Sequence, residues 1–121
     1  MKKSPFILSA ILLALTTNVW ASDDDDHKII LAAEKHKVTV AQAKKLADET
    51  AISVIGTIVR QTKHEHYDLK DTSGTINVEI DEKLATANQL KVGTKVKVMG
   101  EVDTHRYKPT DIDVVKVEIM H

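Results

Sequence analysis

The residues best equipped for chemistry fall in two stretches. In the first, His64, His66 and Asp68 occupy every second position of a segment rich in extended-chain formers. Alternate residues of a strand point to the same side, so two imidazoles and a carboxylate are expected on one face. Asn77, Glu79 and Asp81 repeat that spacing further along and can lie opposite them. Imidazole plus carboxylate is a donor set for Zn²⁺, Ni²⁺ or Cu²⁺, and His64, His66 and Asp68 are the candidate ligands. A solvated strand face is the commoner origin of such an H-x-H pair. The second stretch, 104–110, holds His105, Arg106, Tyr107 and Lys108: donors, cations and an amphipathic ring.

Several other chemistries find no residues to carry them. There is no cysteine, which removes disulfides, thiolate metal sites and thiol nucleophiles together. Beyond the first twenty-one residues the serines are Ser22, Ser53 and Ser73, none set in a nucleophile elbow. No phosphate loop or zinc-protease helix appears. Paired carboxylates on a strand face do not make a glycosidase without a deep cleft. The sequence therefore reads as a binding protein rather than an enzyme, with no cofactor implied. Seventeen Lys and Arg against eighteen Asp and Glu give a net charge of −1, far from the basic balance of nucleic-acid binders.

Those candidate residues must be positioned by a chain of 121 residues, enough for one domain. From Ala51 the sequence turns to β-branched residues. A long first strand, 51–60, is apolar on both parities and carries Gly56 in its interior, where glycine marks a bend or bulge. A second strand runs over 66–70, with Tyr67 and Leu69 inward. Asp71-Thr72-Ser73-Gly74 has the residues of a tight turn, with Asp first and Gly last. Strand three, 75–81, alternates Ile76, Val78 and Ile80 with polar residues. Residues 82–90 suit a short helical connector before strand four, 95–102. Strand five, 111–120, changes parity between Val114 and Val115, as a bulge requires. Ahead of the strands, Thr39 and Gln42 form a capping box that opens a helix running to Leu46. The predicted fold is mainly β: a five-stranded Greek-key barrel of the OB type, with an N-terminal α-helix and a helical connector between strands three and four.

The first twenty-one residues read as an address. Lys2 and Lys3 precede a short apolar run from Phe6 to Leu15, and Val19-Trp20-Ala21 fits a cleavage site after Ala21. The expected product is exported to a periplasm and has no membrane insertion after signal cleavage, because no later run reaches membrane length. Cleavage removes the only Phe and Trp, leaving Tyr67 and Tyr107 as the aromatic residues. The organisation expected is a signal peptide (1–21), an acidic, helix-prone segment (22–37) that opens on Asp23–Asp26, and a barrel domain (38–121).

The run from Asp71 to Asp81, preceded by Tyr67 and Lys70 and followed by Gly100-Glu101-Val102-Asp103, resembles the bacterial OB-fold (BOF) family. More narrowly it is similar to that family's periplasmic stress-tolerance proteins. Gly56 in strand one and Ile112-Asp113-Val114 in strand five fall in the family's order. The resemblance spans roughly residues 38–120 and departs from the family at the acidic segment 23–37 and in lacking aromatics at positions such as Ala51 and Leu69. It implies a non-enzymatic periplasmic protein that aids tolerance of envelope stress. The partner would be a periplasmic or outer-membrane protein, peptidoglycan or another glycan, or a small cationic ligand. Nucleic acid is not expected, since single strands need aromatic platforms and a basic groove that this face lacks. In OB barrels the connection between strands four and five borders the ligand site. The expected binding surface is therefore His66, Asp68, Asn77 and Glu79 together with His105, Arg106 and Tyr107.

Overall fold

The computed structural model describes residues 21–121, so the leader expected over 1–21 lies outside the described residues apart from Ala21. The elements are helix α1 (Ala21–Glu34), helix α2 (Val40–Ala43), and strands β1 (Ala51–Lys63), β2 (His66–Asp71), β3 (Gly74–Glu79), β4 (Lys95–Asp103) and β5 (Asp111–Met120). The strands close into a barrel in the order β1-β2-β3-β5-β4, with β1 and β4 completing the ring. Every pairing is antiparallel except β3 with β5, where Asn77, Val78 and Glu79 align with Asp111, Ile112 and Asp113. That ring order is the five-stranded Greek key of the OB-fold.

β1 can serve two neighbours because it bends. Its first half pairs with β4 and its second half with β2, the change falling at Thr57. At Gly56 a Cβ would sit 2.8 Å from the Lys70 carbonyl and 2.9 Å from Leu69 Cγ, so the strand makes its approach where there is no side chain. The barrel is filled by the inward parity of each strand: Ile52, Val54 and Ile58, then Tyr67 and Leu69, Ile76 and Val78, Val96, Val98 and Val102, and Ile112. Fully burying side chains of this kind contributes roughly 1.5–3 kcal/mol each. Between Val114 and Lys116 the β5 register steps by one against β4, leaving Val115 unpaired in the expected bulge.

The ends of the barrel are plugged by short helical pieces. α2 has the capping box the sequence predicts: Thr39 Oγ1 accepts from the Gln42 amide at 3.1 Å, and Gln42 Oε1 from the Thr39 amide at 2.9 Å. The helix stops after one turn rather than running to Leu46, because the bonds tighten to three-residue spacing at Lys45 and Leu46. The connection after β3 is likewise two single turns, closed by Ala85 N–H on the Asp81 carbonyl and Leu90 N–H on that of Thr86. Ala85 and Leu90 both join the core.

α1 lies outside the ring against β1, β4 and β5. It is tied down beyond its end by a parallel bridge between Lys37 and Ser53. Met99 has the outward parity of β4 and would be solvated on a bare barrel, yet it is fully buried, as is Ala33 of α1. The helix thus covers a second, small apolar layer on the outer wall. No helix among the described residues is long and apolar enough to cross a membrane.

Candidate functional site

The polar face of β1–β2–β3 is a connected network. Asp68 Oδ2 accepts from Arg60 Nη2 at 2.6 Å and Nε at 3.0 Å, and its Oδ1 accepts from Asn77 Nδ2 at 3.1 Å. Asn77 Nδ2 also reaches Thr62 Oγ1 at 3.1 Å, and Asn77 Oδ1 pairs with His66 Nδ1 at 2.9 Å. Cross-strand register explains the meeting: Asp68 stands opposite Asn77 on β3 and opposite Arg60 on β1. Asp68 is nearly buried, and the guanidinium and amide supply the hydrogen bonds that its oxygens would otherwise take from water. Glu79 lies further out, its Oε2 4.0 Å from His66 Nε2.

His64 does not join this face. His64 and Glu65 form the turn between β1 and β2, with Glu65 in the left-handed region at φ 62°. The chain reverses there, which breaks the alternation from His64 to His66, and the His64 imidazole instead lies 3.4 Å from Glu82. The three expected metal ligands, His64, His66 and Asp68, are therefore not brought together as a set. Among the described residues the group with metal-ligand spacing is Asp103, His105 and Asp111, whose donor atoms all lie within 4.8 Å of one another.

The β4–β5 loop meets the network along a groove of about 290 Å³ lined by Thr62, Lys63, His66, Asn77, Lys108, Pro109 and Asp111. The parallel pairing of Asn77 with Asp111 brings the two together. His105 sits behind the groove, its Nε2 3.1 Å from Asp111 Oδ1 and 3.5 Å from Asp103 Oδ2. Arg106 stacks its guanidinium 6.0 Å from the Tyr107 ring centroid, and Tyr107 is 90% exposed; neither lines the groove. Sequence reasoning missed Arg60, the last residue of the expected first strand, and Thr62 and Lys63, which lie on a polar extension of β1 that has no hydrophobic alternation to betray it.

A second hollow, about 130 Å³, is lined by Asp48, Glu49, Glu101, Val102, Asp103 and Asp113. Burial raises the Glu101 carboxyl above its ordinary range, with further upward pressure from Glu49, Asp113 and Asp48. Asp113 is raised in the same way, by burial first and then by Glu79, Asp103 and Asp111. One end of the β4–β5 hairpin is therefore strongly negative while Lys63 and Lys108 line the groove beside it.

A small closed five-stranded barrel in this ring order, with a groove at the β3–β5 seam, defines an OB-fold protein. The model of the bacterial OB-fold (BOF) proteins matches residues 21–119, and the chain belongs to that family. It is 37% identical over 82 residues to the calcium-regulated OB-fold protein CarO of Pseudomonas aeruginosa, covering 68% of this chain and 70% of that one. Protein YgiW of Escherichia coli is 38% identical over 79 residues, a match covering 65% of this chain and 60% of YgiW. The solved structure of YgiW superposes with a TM-score of 0.60 over 69% of this chain and 88% of the solved one. An asparaginyl-tRNA synthetase from Pyrococcus horikoshii, at 19% identity, covering 69% of this chain and 23% of that one with a TM-score of 0.58, shares the fold alone. Neither the family nor these BOF relatives indicate an enzymatic family.

Proposed function

We propose that this chain is a non-enzymatic periplasmic binding protein, exported by a leader cleaved after Ala21, that contributes to tolerance of envelope or chemical stress. The observation that carries the reading is the groove in which His66 and Asn77 of the sheet face Lys108, Pro109 and Asp111 of the β4–β5 loop and its strand. The groove's lining residues carry hydroxyl, amide, imidazole, ammonium and carboxylate groups around a largely apolar floor, a combination that can hydrogen-bond the hydroxyls of a glycan and pack against the apolar face of its ring. The exposed Tyr107 ring stands on the same loop, where it can stack on a sugar or on a partner protein. Peptidoglycan is the preferred ligand and an envelope protein the alternative. A small organic cation such as a polyamine is disfavoured in this groove by Lys63 and Lys108. Single-stranded nucleic acid is disfavoured by the carboxylates beside it and by a single exposed aromatic ring, Tyr107, among the described residues.

Co-sedimentation of the purified protein with insoluble peptidoglycan tests the reading. Binding that survives physiological salt and drops at least tenfold in a His66→Ala, Lys108→Ala double variant supports it. No sedimentation, together with no specific partner retained from periplasmic extract, refutes it. Tight, salt-sensitive binding of a single-stranded oligonucleotide would refute it as well.

A further inference from the structure

We propose that Asp103, His105 and Asp111 form a binding site for a divalent first-row transition-metal ion of the Zn²⁺ type. β4 ends at Asp103 and β5 begins at Asp111, and the two are direct register partners at the mouth of the hairpin. Like charges directly opposite one another across a strand pair destabilise it, so the arrangement calls for a cation between them. Between them is the imidazole, with Nε2 3.1 Å from Asp111 Oδ1 and 3.5 Å from Asp103 Oδ2. Donors bound tetrahedrally to a zinc ion at 2.0–2.1 Å are separated by about 3.3 Å, so both spacings sit close to the edge of that tetrahedron.

Burial supplies a separate indication. Asp111 is only 7% exposed, and among the described residues its carboxylate has no lysine or arginine within ion-pair distance and no hydrogen-bond donor but His105. A carboxylate so placed, beside a second carboxylate, is under-compensated by one imidazole. Asp48, Glu49, Glu101 and Asp113 line the adjoining hollow and add negative potential that draws a cation in. Imidazole with two carboxylates suits zinc and its neighbours. Calcium prefers six to eight oxygens, which these three residues do not offer. Binding displaces the proton from Nε2 and leaves at least one coordination position for water or a ligand atom. The inference does not rest on the groove reading, since metal can bind with no glycan bound and a glycan can bind with no metal.

The experiment is calorimetric titration of the purified chain at neutral pH with Zn²⁺, Mn²⁺ and Ca²⁺ in turn, with Co²⁺ absorption as a report on geometry. One-to-one Zn²⁺ binding in the micromolar range or tighter is expected, with Ca²⁺ at least tenfold weaker and a Co²⁺ spectrum of tetrahedral intensity. His105→Ala and Asp103→Asn should each weaken Zn²⁺ at least tenfold, while His64→Ala leaves it unchanged. Asp103 is partly exposed, so Asp103→Asn serves as the folded control if Asp111→Asn unfolds. No saturable Zn²⁺ binding tighter than about millimolar overturns the proposal, as does Zn²⁺ affinity that survives His105→Ala, or Ca²⁺ binding tighter than Zn²⁺.

Discussion

Replacing Asp71 should loosen two elements at once. Its Oδ1 accepts from the Ser73 amide at 2.7 Å, the Ser73 hydroxyl at 2.6 Å and the Gly74 amide at 3.1 Å, holding the β2–β3 turn. Its Oδ2 accepts from the Val40 amide at 2.9 Å, and Ser73 Oγ accepts from the Ala41 amide at 2.9 Å. With Thr39 on Gln42, the first three amides of α2 are all satisfied, two of them by a turn more than thirty residues away. Asp71→Ala strands the Val40, Ser73 and Gly74 amides. Bonds to a charged acceptor are worth about 1.5–3 kcal/mol each when water cannot replace them, and a lost helix cap costs about 1 kcal/mol. Water reaches this turn, so the total loss is set at about 2–4 kcal/mol, or a fall in Tm of roughly 10–30 °C for a domain of this size.

The pH dependence of that loss is fixed by the same contacts. Burial alone would raise the Asp71 carboxyl, but the Ser73 hydroxyl and the amides of Val40, Ser73 and Gly74 outweigh it and hold the group below its ordinary 3.8. A carboxyl lowered in the folded state contributes stability in full above its unfolded value, and that contribution fades as pH falls through the folded one. The gap in Tm between wild type and Asp71→Ala should therefore be widest near neutrality and shrink below pH 3.8. Calorimetric melts across that range measure it. A gap under a few degrees at neutral pH, or one that is the same at pH 7 and pH 3, would refute the reasoning.

Other perturbations follow from single observations. At Gly100 an added Cβ would overlap the Asp113 carbonyl and the Val114 backbone at the β5 bulge, so Gly100→Ala should cost at least about 3 kcal/mol and show as a lower midpoint in urea. Ser53 Oγ is buried and has no hydrogen-bond partner among the described residues, so Ser53→Ala should leave stability unchanged or raise it by up to about 1–2 kcal/mol; a clear loss would show that the hydroxyl is satisfied. Burial foremost, and then Glu82 and Glu65, raise Tyr67 above its ordinary 10.0. Its contribution is intact below pH 10.0 and lost as pH rises through the folded value, so Tyr67→Phe should resist alkaline unfolding better than wild type; equal alkaline midpoints would contradict this.

What the sequence discloses about the fold is what short-range chemistry encodes. The Thr39–Gln42 box, the turn residues from Asp71 to Gly74 and the parity change at Val115 each work within a few positions, and each appears where its residues place it. The tail of β1 past Arg60 was not legible because its residues are exposed, so no alternation records that they pair with β2. The burial of Met99 was not legible for a related reason. Its parity is outward on β4, and only the docking of α1 on the outer wall, a contact far from it in sequence, removes it from water.

The same distinction governs the candidate site. His66, Asp68, Asn77 and Glu79 share a face because strand alternation and a two-residue turn put them there, and both are local. His64 was misread because alternation was extended two residues into a turn whose left-handed Glu65 carries no glycine to announce it. The groove and the Asp103–His105–Asp111 group depend on the one parallel pairing in the ring and on a hairpin mouth seven residues wide. No periodicity within β3 or β5 says that Asn77 will lie beside Asp111; closure of the barrel does. Residues that act together here are those that ring closure makes neighbours, so a change that leaves each strand intact but slips β5 against β3 should abolish ligand binding while preserving most of the secondary structure.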